Sequence, residues 1–329
     1  MNALRITTPS RLHFGLLAWG PDAPRQFGGV GLMVDAPGLE LVARPSAGLE
    51  VAGAGLVDRT RAVAEGVLSR LSGRGVDLPG AAIEVRRAAP EHAGLGTGTQ
   101  LSLAVARLLV ALAGRPEPSR DELAALTGRG RRSGIGLHGF ALGGLLVDGG
   151  RRDPGPGVPP LLARYELPAD WHVLVVLPEA PEGLHGPDEA GAFAALPAMS
   201  DAASDRLSRL VLLGLLPAVV ERDLDSFGAA LTAIQLHVGR GFAPAQGGRP
   251  YASPAAEAIA AFLRSERLVG IGQSSWGPAL YAFSAADAAR RAAILQRVRE
   301  RYGLAPDRAF WTAASHAGAR LEAADPAAR

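Results

Sequence analysis

Three glycines and two threonines crowd the stretch Gly94, Gly96, Thr97, Gly98, Thr99, immediately ahead of Gln100 and an apolar run. From Leu101 to Ala113 only Ser102 and Arg107 are clearly polar, so the spacing predicts a helix buried on nearly every side. A buried helix start leaves about four backbone N–H groups without intrahelical partners. Those donors, at the positive end of the helix dipole, favour an anion. Alternating glycines let a ligand approach the backbone closely. The chemistry this points to is phosphate binding. The spacing matches neither the lysine-containing phosphate loop nor the dinucleotide fingerprint.

A second glycine-rich stretch, Gly128 to Gly136, carries Arg129, Gly130, Arg131, Arg132, Ser133 and Gly134. Guanidinium groups match phosphate oxygens two bonds at a time, so this is a candidate second anion loop. Gln273, Ser274, Ser275 and Trp276 follow an apolar strand. In "SRLHFGLL" the alternation puts Arg11 and His13 on one face and Leu12, Phe14 and Leu16 on the other. His138, Asp148 and Gln246 are polar residues beside glycines. Taken singly, each fits a structural role: a strand–helix turn, a solvated basic loop, a hairpin, an exposed strand edge, a core tryptophan. The histidines at 92, 172, 185, 237 and 316 have no metal-ligand spacing.

Composition narrows the chemistry further. The 329 residues include no cysteine and no lysine, so all 34 basic residues are arginine. Thiolate nucleophiles, lysine Schiff bases and a phosphate-loop lysine are all excluded. A formal charge of +2 with no basic stripe argues against nucleic acid as a partner. No uncharged apolar run reaches the roughly 18 residues of a membrane span. The N-terminus lacks the layout of a secretory signal, which points to the cytoplasm.

These residues need a scaffold to bring them together. Strands are expected over 10–17, 28–35, 39–44 and 81–88, and helices over 59–71, after the glycine loop, and over "SRDELAALTG", where Ser119 caps and Glu122 closes a capping box. The Pro/Gly-rich stretch 151–170 is the expected boundary, giving units 1–155 and 165–329. Beyond it come "WHVLVVL", helices near 201–217, 221–236 and 254–267, a strand pair around 268–284 and a helix near 285–302. The fold class is α+β, in two domains with a cleft between them.

The order "PxxxGLGxGTQ", "GRGxxSGIGxxxF…GGxxVDGG", "Q…GFxxxQGG", "GxSSWGP" resembles the β-ribofuranosylaminobenzene 5′-phosphate synthases of tetrahydromethanopterin biosynthesis, within the GHMP kinase superfamily. The resemblance implies a GHMP-type phosphate-binding domain followed by a GHMP-type C-terminal domain. It also implies decarboxylating condensation of 5-phosphoribosyl 1-diphosphate with 4-aminobenzoate or 4-hydroxybenzoate, with Mg²⁺. Expected partners are those small molecules, with no nucleic acid and no membrane, and a homodimer is allowed. Arg11 and His13 are then the catalytic candidates. The diphosphate is expected on Gly94–Thr99, the 5′-phosphate on Arg129–Gly134, and the aromatic acid against Trp276. Gln100, His138, Gln246, Ser274 and Ser275 complete the expected substrate-binding set. Gly136 stands where related kinases often carry an Asp, which fits a scaffold that no longer moves a phosphoryl group; an ATP-dependent small-molecule kinase is the alternative, and a non-catalytic sugar-phosphate-binding regulator a more distant one. Arg131 and Arg132 stand where Gly-Thr is expected.

Overall fold

The computed structural model describes residues 3–78, 80–152, 157–179 and 186–324, apart from the side chains of 186–190. His185 and residue 155 of the expected boundary lie outside the described residues.

The first layer is β1 (Leu4–Leu16), β2 (Gly29–Pro45), β3 (Glu50–Gly53), α1 (Val57–Ser72), β4 (Ala81–Arg87), α2 (Thr97–Leu112), α3 (Arg120–Thr127), α4 (Ile135–Leu142), β5 (Leu145–Asp148) and β6 (Leu161–Tyr165). The stretches 28–35 and 39–44, expected as separate strands, form the single long β2. Its Gly29–Leu32 end pairs with β5, and its Glu40–Pro45 end pairs with β4. α2 packs on β1 and β2 with one side and on α1, α3 and α4 with the other. That sandwich explains an apolar surface all the way round. α3 begins with the expected capping box, Ser119 accepting from the Glu122 N–H while Glu122 accepts from the Ser119 N–H, a device typically worth about 1 kcal/mol.

The second layer runs β7 (His172–Val176), α5 (Gly186–Ala195), α6 (Asp201–Leu210), a π turn at Val211–Leu215, α7 (Leu216–Glu221), α8 (Leu224–Phe242), α9 (Pro254–Ser265), β8 (Val269–Gln273), β9 (Leu280–Ser284), α10 (Ala288–Tyr302) and β10 (Ala309–Ala313). The helix expected over 201–217 widens to a π turn just before Pro217, which has no N–H to donate. Strands β10, β7, β9 and β8 form an antiparallel sheet in that order.

The expected division at 155 and 165 is corrected at both ends. β6, after residue 155, still pairs with β5 of the first sheet. The last strand, β11 (Arg320–Ala323), leaves the second layer and pairs with β1. Strands β3, β6, β10 and β11 are four or five residues each, too short for periodicity to announce them. The two layers also share one core. Leu12, Phe14, Val30 and Leu32 pack in a single cluster with Val173, Val175, Phe227, Leu231 and Phe283. The Phe14 ring lies 4.9 Å from that of Tyr281. A cleft opens beside this shared core.

Candidate active site

β1 carries the alternation the sequence showed. Leu12 and Phe14 are fully buried in the core, while Arg11 and His13 line a cleft of about 820 Å³. Two segments are stitched to this strand by hydrogen bonds. The Arg11 N–H donates to Leu95 O at 2.8 Å, and the Ser275 N–H to His13 O at 3.2 Å. The buried Ser274 hydroxyl accepts from the His13 N–H at 2.9 Å and donates to Gly94 O at 2.5 Å. The glycine loop, the β8–β9 hairpin and β1 are thereby held edge to edge.

Gly96 is the N-cap of α2 at φ +72°, a left-handed conformation that suits glycine. The helix has no side-chain cap. Its first acceptor, Gly96 O, takes the N–H groups of both Thr99 and Gln100, which leaves those of Thr97 and Gly98 at the cleft. A Cβ on Gly96 would lie 3.0 Å from the Arg11 side chain, and one on Gly98 would collide with the Arg59 guanidinium. Arg59 itself pairs with Glu91. The second loop adds Arg129, Arg131 and Arg132, with Arg129 also donating to Ser102 Oγ at 3.2 Å. Five arginines therefore line the cleft, and among its described lining residues there is no Asp or Glu. Such a surface concentrates anions.

The rest of the lining is partly aromatic. Trp276 stacks on Phe242 at 4.3 Å with 13° between the rings, and Phe193 meets Trp276 edge-on at 5.2 Å. The Arg132 guanidinium lies over Phe193 at 5.2 Å. Below them Gln273 accepts from the Ala252 N–H and donates to Gln246, while Gln235 accepts from the Gln273 N–H.

His13 and Ser133 meet at 3.2 Å, and Ser133 donates to Asp148 at 2.8 Å. Burial pushes the His13 imidazole well below its ordinary range, and the charges of Arg11 and Arg132 add to this. Burial pushes the Asp148 carboxyl up, opposed by hydrogen bonds from the Gly150 N–H, Ser133 and the Gly134 N–H.

The structure gathers Arg11, His13, Gly94, Gly96, Thr97, Gly98, Thr99, Arg129, Gly130, Ser133, Gln246, Ser275 and Trp276 around this one cleft. It places four expected residues behind the lining. Gln100 donates to Gly136 O and joins α2 to α4. Gly134 spends its N–H on Asp148. Ser274 is the clamp described above. His138 receives Arg120 on Nδ1 and reaches Pro159 O with Nε2, so both ring nitrogens serve the scaffold. Their polarity satisfies buried backbone rather than a ligand. Arg59, Phe193, Phe242 and Gln235 line the cleft without having been expected. They sit in helices whose local pattern reads as solvated face or core, and no sequence signal at those positions distinguishes them. Arg131 and Arg132, which stand where the resemblance leads one to expect Gly-Thr, also lie in the cleft.

Residues 58–144 match the GHMP kinases N terminal domain and residues 215–304 the GHMP kinases C terminal domain. The chain is 34% identical over 295 residues to the beta-ribofuranosylphenol 5'-phosphate synthase of Methanothermobacter thermautotrophicus, covering 84% of this chain and 88% of that one. It is 36% identical over 243 residues to the protein of the same name from Archaeoglobus fulgidus, covering 70% and 75%. A homoserine kinase from Cytophaga hutchinsonii superposes with a TM-score of 0.70 at 17% identity over 98% of both chains, a likeness of fold. By these relatives, the chain belongs to the beta-ribofuranosylphenol 5'-phosphate synthase family, built on the GHMP kinase fold.

Proposed function

We propose that the chain joins 5-phosphoribosyl 1-diphosphate to 4-hydroxybenzoate or 4-aminobenzoate, releasing carbon dioxide and diphosphate. The observation that carries this is a single cleft lined both by arginines and backbone amides and by three aromatic rings, with no carboxylate among the described lining residues. A doubly phosphorylated sugar suits the first groups and a benzoate ring the second.

The ring carbon bearing the carboxylate bonds to C1 of the ribose. The C1–oxygen bond breaks with its electron pair going to diphosphate. The carbon–carboxylate bond then breaks, its pair restores the aromatic ring, and carbon dioxide leaves. No net proton transfer is required. The site must position two substrates and stabilise negative charge on the leaving group, which are the tasks of preorganised N–H donors and guanidinium groups. Thr97 and Gly98 N–H with Arg59 and Arg11 meet the diphosphate in this reading. Arg129 and its loop meet the 5′-phosphate, and Phe193, Phe242 and Trp276 take the ring.

The resemblance also implies Mg²⁺. The described residues hold no group of three or more metal-binding side chains, and the cleft lining offers no carboxylate. These residues do not fit a resident Mg²⁺ site. Mg²⁺ belongs here to the substrate, as the counter-ion of its diphosphate.

Phosphoryl transfer fits less well. Kinases orient the nucleophile or the metal with a carboxylate. Gly136 faces Thr99 of α2, and a Cβ there would lie 2.9 Å from the Thr99 methyl. The deciding experiment incubates the purified protein with carboxyl-labelled 4-hydroxybenzoate or 4-aminobenzoate, phosphoribosyl diphosphate and Mg²⁺, and traps released carbon dioxide. Release that depends on phosphoribosyl diphosphate is expected. No release, together with ADP formed from ATP and a sugar or mevalonate-like alcohol, would give the kinase reading the site.

A further inference from the structure

His13, Ser133 and Asp148 form a hydrogen-bonded chain from the cleft wall into the interior. The roles along it are fixed by counting donors and acceptors. His13 Nδ1 lies 3.2 Å from the Gly15 N–H, which can only donate. Nδ1 is therefore the unprotonated nitrogen, and the ring's one proton sits on Nε2, 3.2 Å from Ser133 Oγ. Ser133 Oγ also receives the Ile135 N–H at 3.2 Å. With both acceptor positions filled, its single hydrogen goes to Asp148 Oδ2 at 2.8 Å. Asp148 Oδ2 further accepts from the Gly134 N–H and Oδ1 from the Gly150 N–H, both at 2.9 Å. Every partner of this carboxyl is a donor, so it stands as the carboxylate. Asp148 is fully buried and His13 is 5% exposed. Neither ring nitrogen, and no hydrogen-bonding capacity of the Ser133 hydroxyl, is left over for a ligand.

We infer that Ser133 and Asp148 are positioning residues, which fix the orientation of the His13 ring, already held Nε2-protonated by the Gly15 N–H, and pin the arginine loop to β1. Ser133 is then not a phosphate ligand, and His13 presents a fixed ring edge to the cleft rather than a proton donor or acceptor. The geometry has a reason. The groups facing His13 are Arg11 on its own strand, Arg132 and Ser133 on the loop, and Asp148 behind them on β5. Ser133 immediately follows Arg132, so the bond to His13 sets where that guanidinium stands relative to Arg11. Asp148 grips both sides of the loop's exit through Ser133 and Gly134.

The test has a spectroscopic arm that needs no substrate, and a kinetic arm that rests on the proposed reaction. The full-length protein is labelled with ¹⁵N in the imidazole rings, and the His13 signals are assigned by their loss in His13→Gln. Between about pH 6 and about pH 8, wild-type His13 is expected to show an unprotonated Nδ1 and a protonated Nε2. Ser133→Ala should keep the tautomer, which the Gly15 N–H sets, but shift the Nε2 signal and speed exchange of its proton with water. It should also lower kcat by about tenfold while leaving KM for phosphoribosyl diphosphate within roughly threefold. Asp148→Asn should disturb the same signals, and if it fails to fold, Ser133→Ala alone decides. A proton on wild-type Nδ1, an imidazolium at neutral pH, or an unchanged His13 spectrum in Ser133→Ala overturns the inference. So does a large rise in KM for phosphoribosyl diphosphate without a spectral change, which would make Ser133 a direct ligand. Absence of any phosphoribosyl-transfer activity would sink the proposed function while the spectra still decide the positioning role.

Discussion

The two walls of the cleft are built by different means. The arginine- and amide-lined wall is made of backbone and short loops. Gly94–Thr99 and Gly128–Ser133 each bring their groups as one contiguous stretch, and β1 adds Arg11 and His13 two residues apart. The aromatic wall is made of side chains from three distant segments, Phe193 of α5, Phe242 at the end of α8 and Trp276 in the β8–β9 hairpin. A backbone wall tolerates almost no added atom, whereas a wall of stacked rings loses one ring at a time. The first should therefore fail abruptly when altered and the second gradually.

The largest effect is expected at Gly98. It lies in the first turn of α2 with no left-handed requirement, and the side chain added by Gly98→Val would enter the space of the Arg59 guanidinium and cover the free N–H groups. We expect kcat/KM to fall by more than about 100-fold, with little change in thermal midpoint, since only the end of a flexible side chain must move. Gly96→Val should lose comparable activity but also some stability, because Gly96 is left-handed and a β-branched residue is strained there. Normal turnover in Gly98→Val would mean that no anion sits on this loop. Equal loss of turnover and stability would make the loop a structural turn.

This contrast also explains what could be read in advance. A wall made of contiguous glycines, threonines and arginines is visible as a motif, and the strand face of Arg11 and His13 follows from period-two alternation. The buried helix α2 was legible because its polar residues are so few. A wall assembled at long range leaves no such trace. Phe242 and Phe193 look like ordinary apolar helix residues, and Arg59 like a solvated position on α1. Polar residues beside glycines misled in the other direction: His138 and Gln100 are buried because backbone carbonyls of Pro159 and Gly136 need donors. The closing strand β11 was invisible because four residues at a sheet edge carry too little pattern to separate them from a loop.

One residue from each wall gives a crossed pair of smaller effects. Arg11→Ala removes a charge-assisted anion contact, typically worth about 1.5–3 kcal/mol, so KM for phosphoribosyl diphosphate should rise roughly 10- to 100-fold. Phe193→Ala removes one ring from the stack, worth about 0.5–1.5 kcal/mol, so KM for the aromatic acid should rise roughly 2- to 10-fold. Each substitution should leave the other substrate's KM nearly unchanged. Steady-state kinetics with each substrate varied would show this. Parallel rises in both constants for either variant would mean that the walls do not divide the substrates between them.

The smallest effect is on stability, and it follows from His13 belonging to the backbone wall while being buried against it. An unfolded histidine titrates near pH 6.5, whereas burial, with Arg11 and Arg132 close by, holds folded His13 well below that. Below about pH 6.5 the unfolded chain binds a proton that the folded chain refuses. The stability associated with neutral His13 is therefore complete above that pH and is lost as pH falls, with a slope of at most about 1.4 kcal/mol per pH unit. His138, lowered chiefly by burial, acts with the same sign. Denaturant unfolding of wild type and His13→Gln at a series of pH values isolates the His13 contribution as the difference between the two curves. We expect the wild type to lose about 1 kcal/mol relative to the variant between about pH 7.5 and about pH 5.5. A constant difference across that range would mean that His13 accepts a proton in the folded protein, and that the arginines around it leave room for a third positive charge.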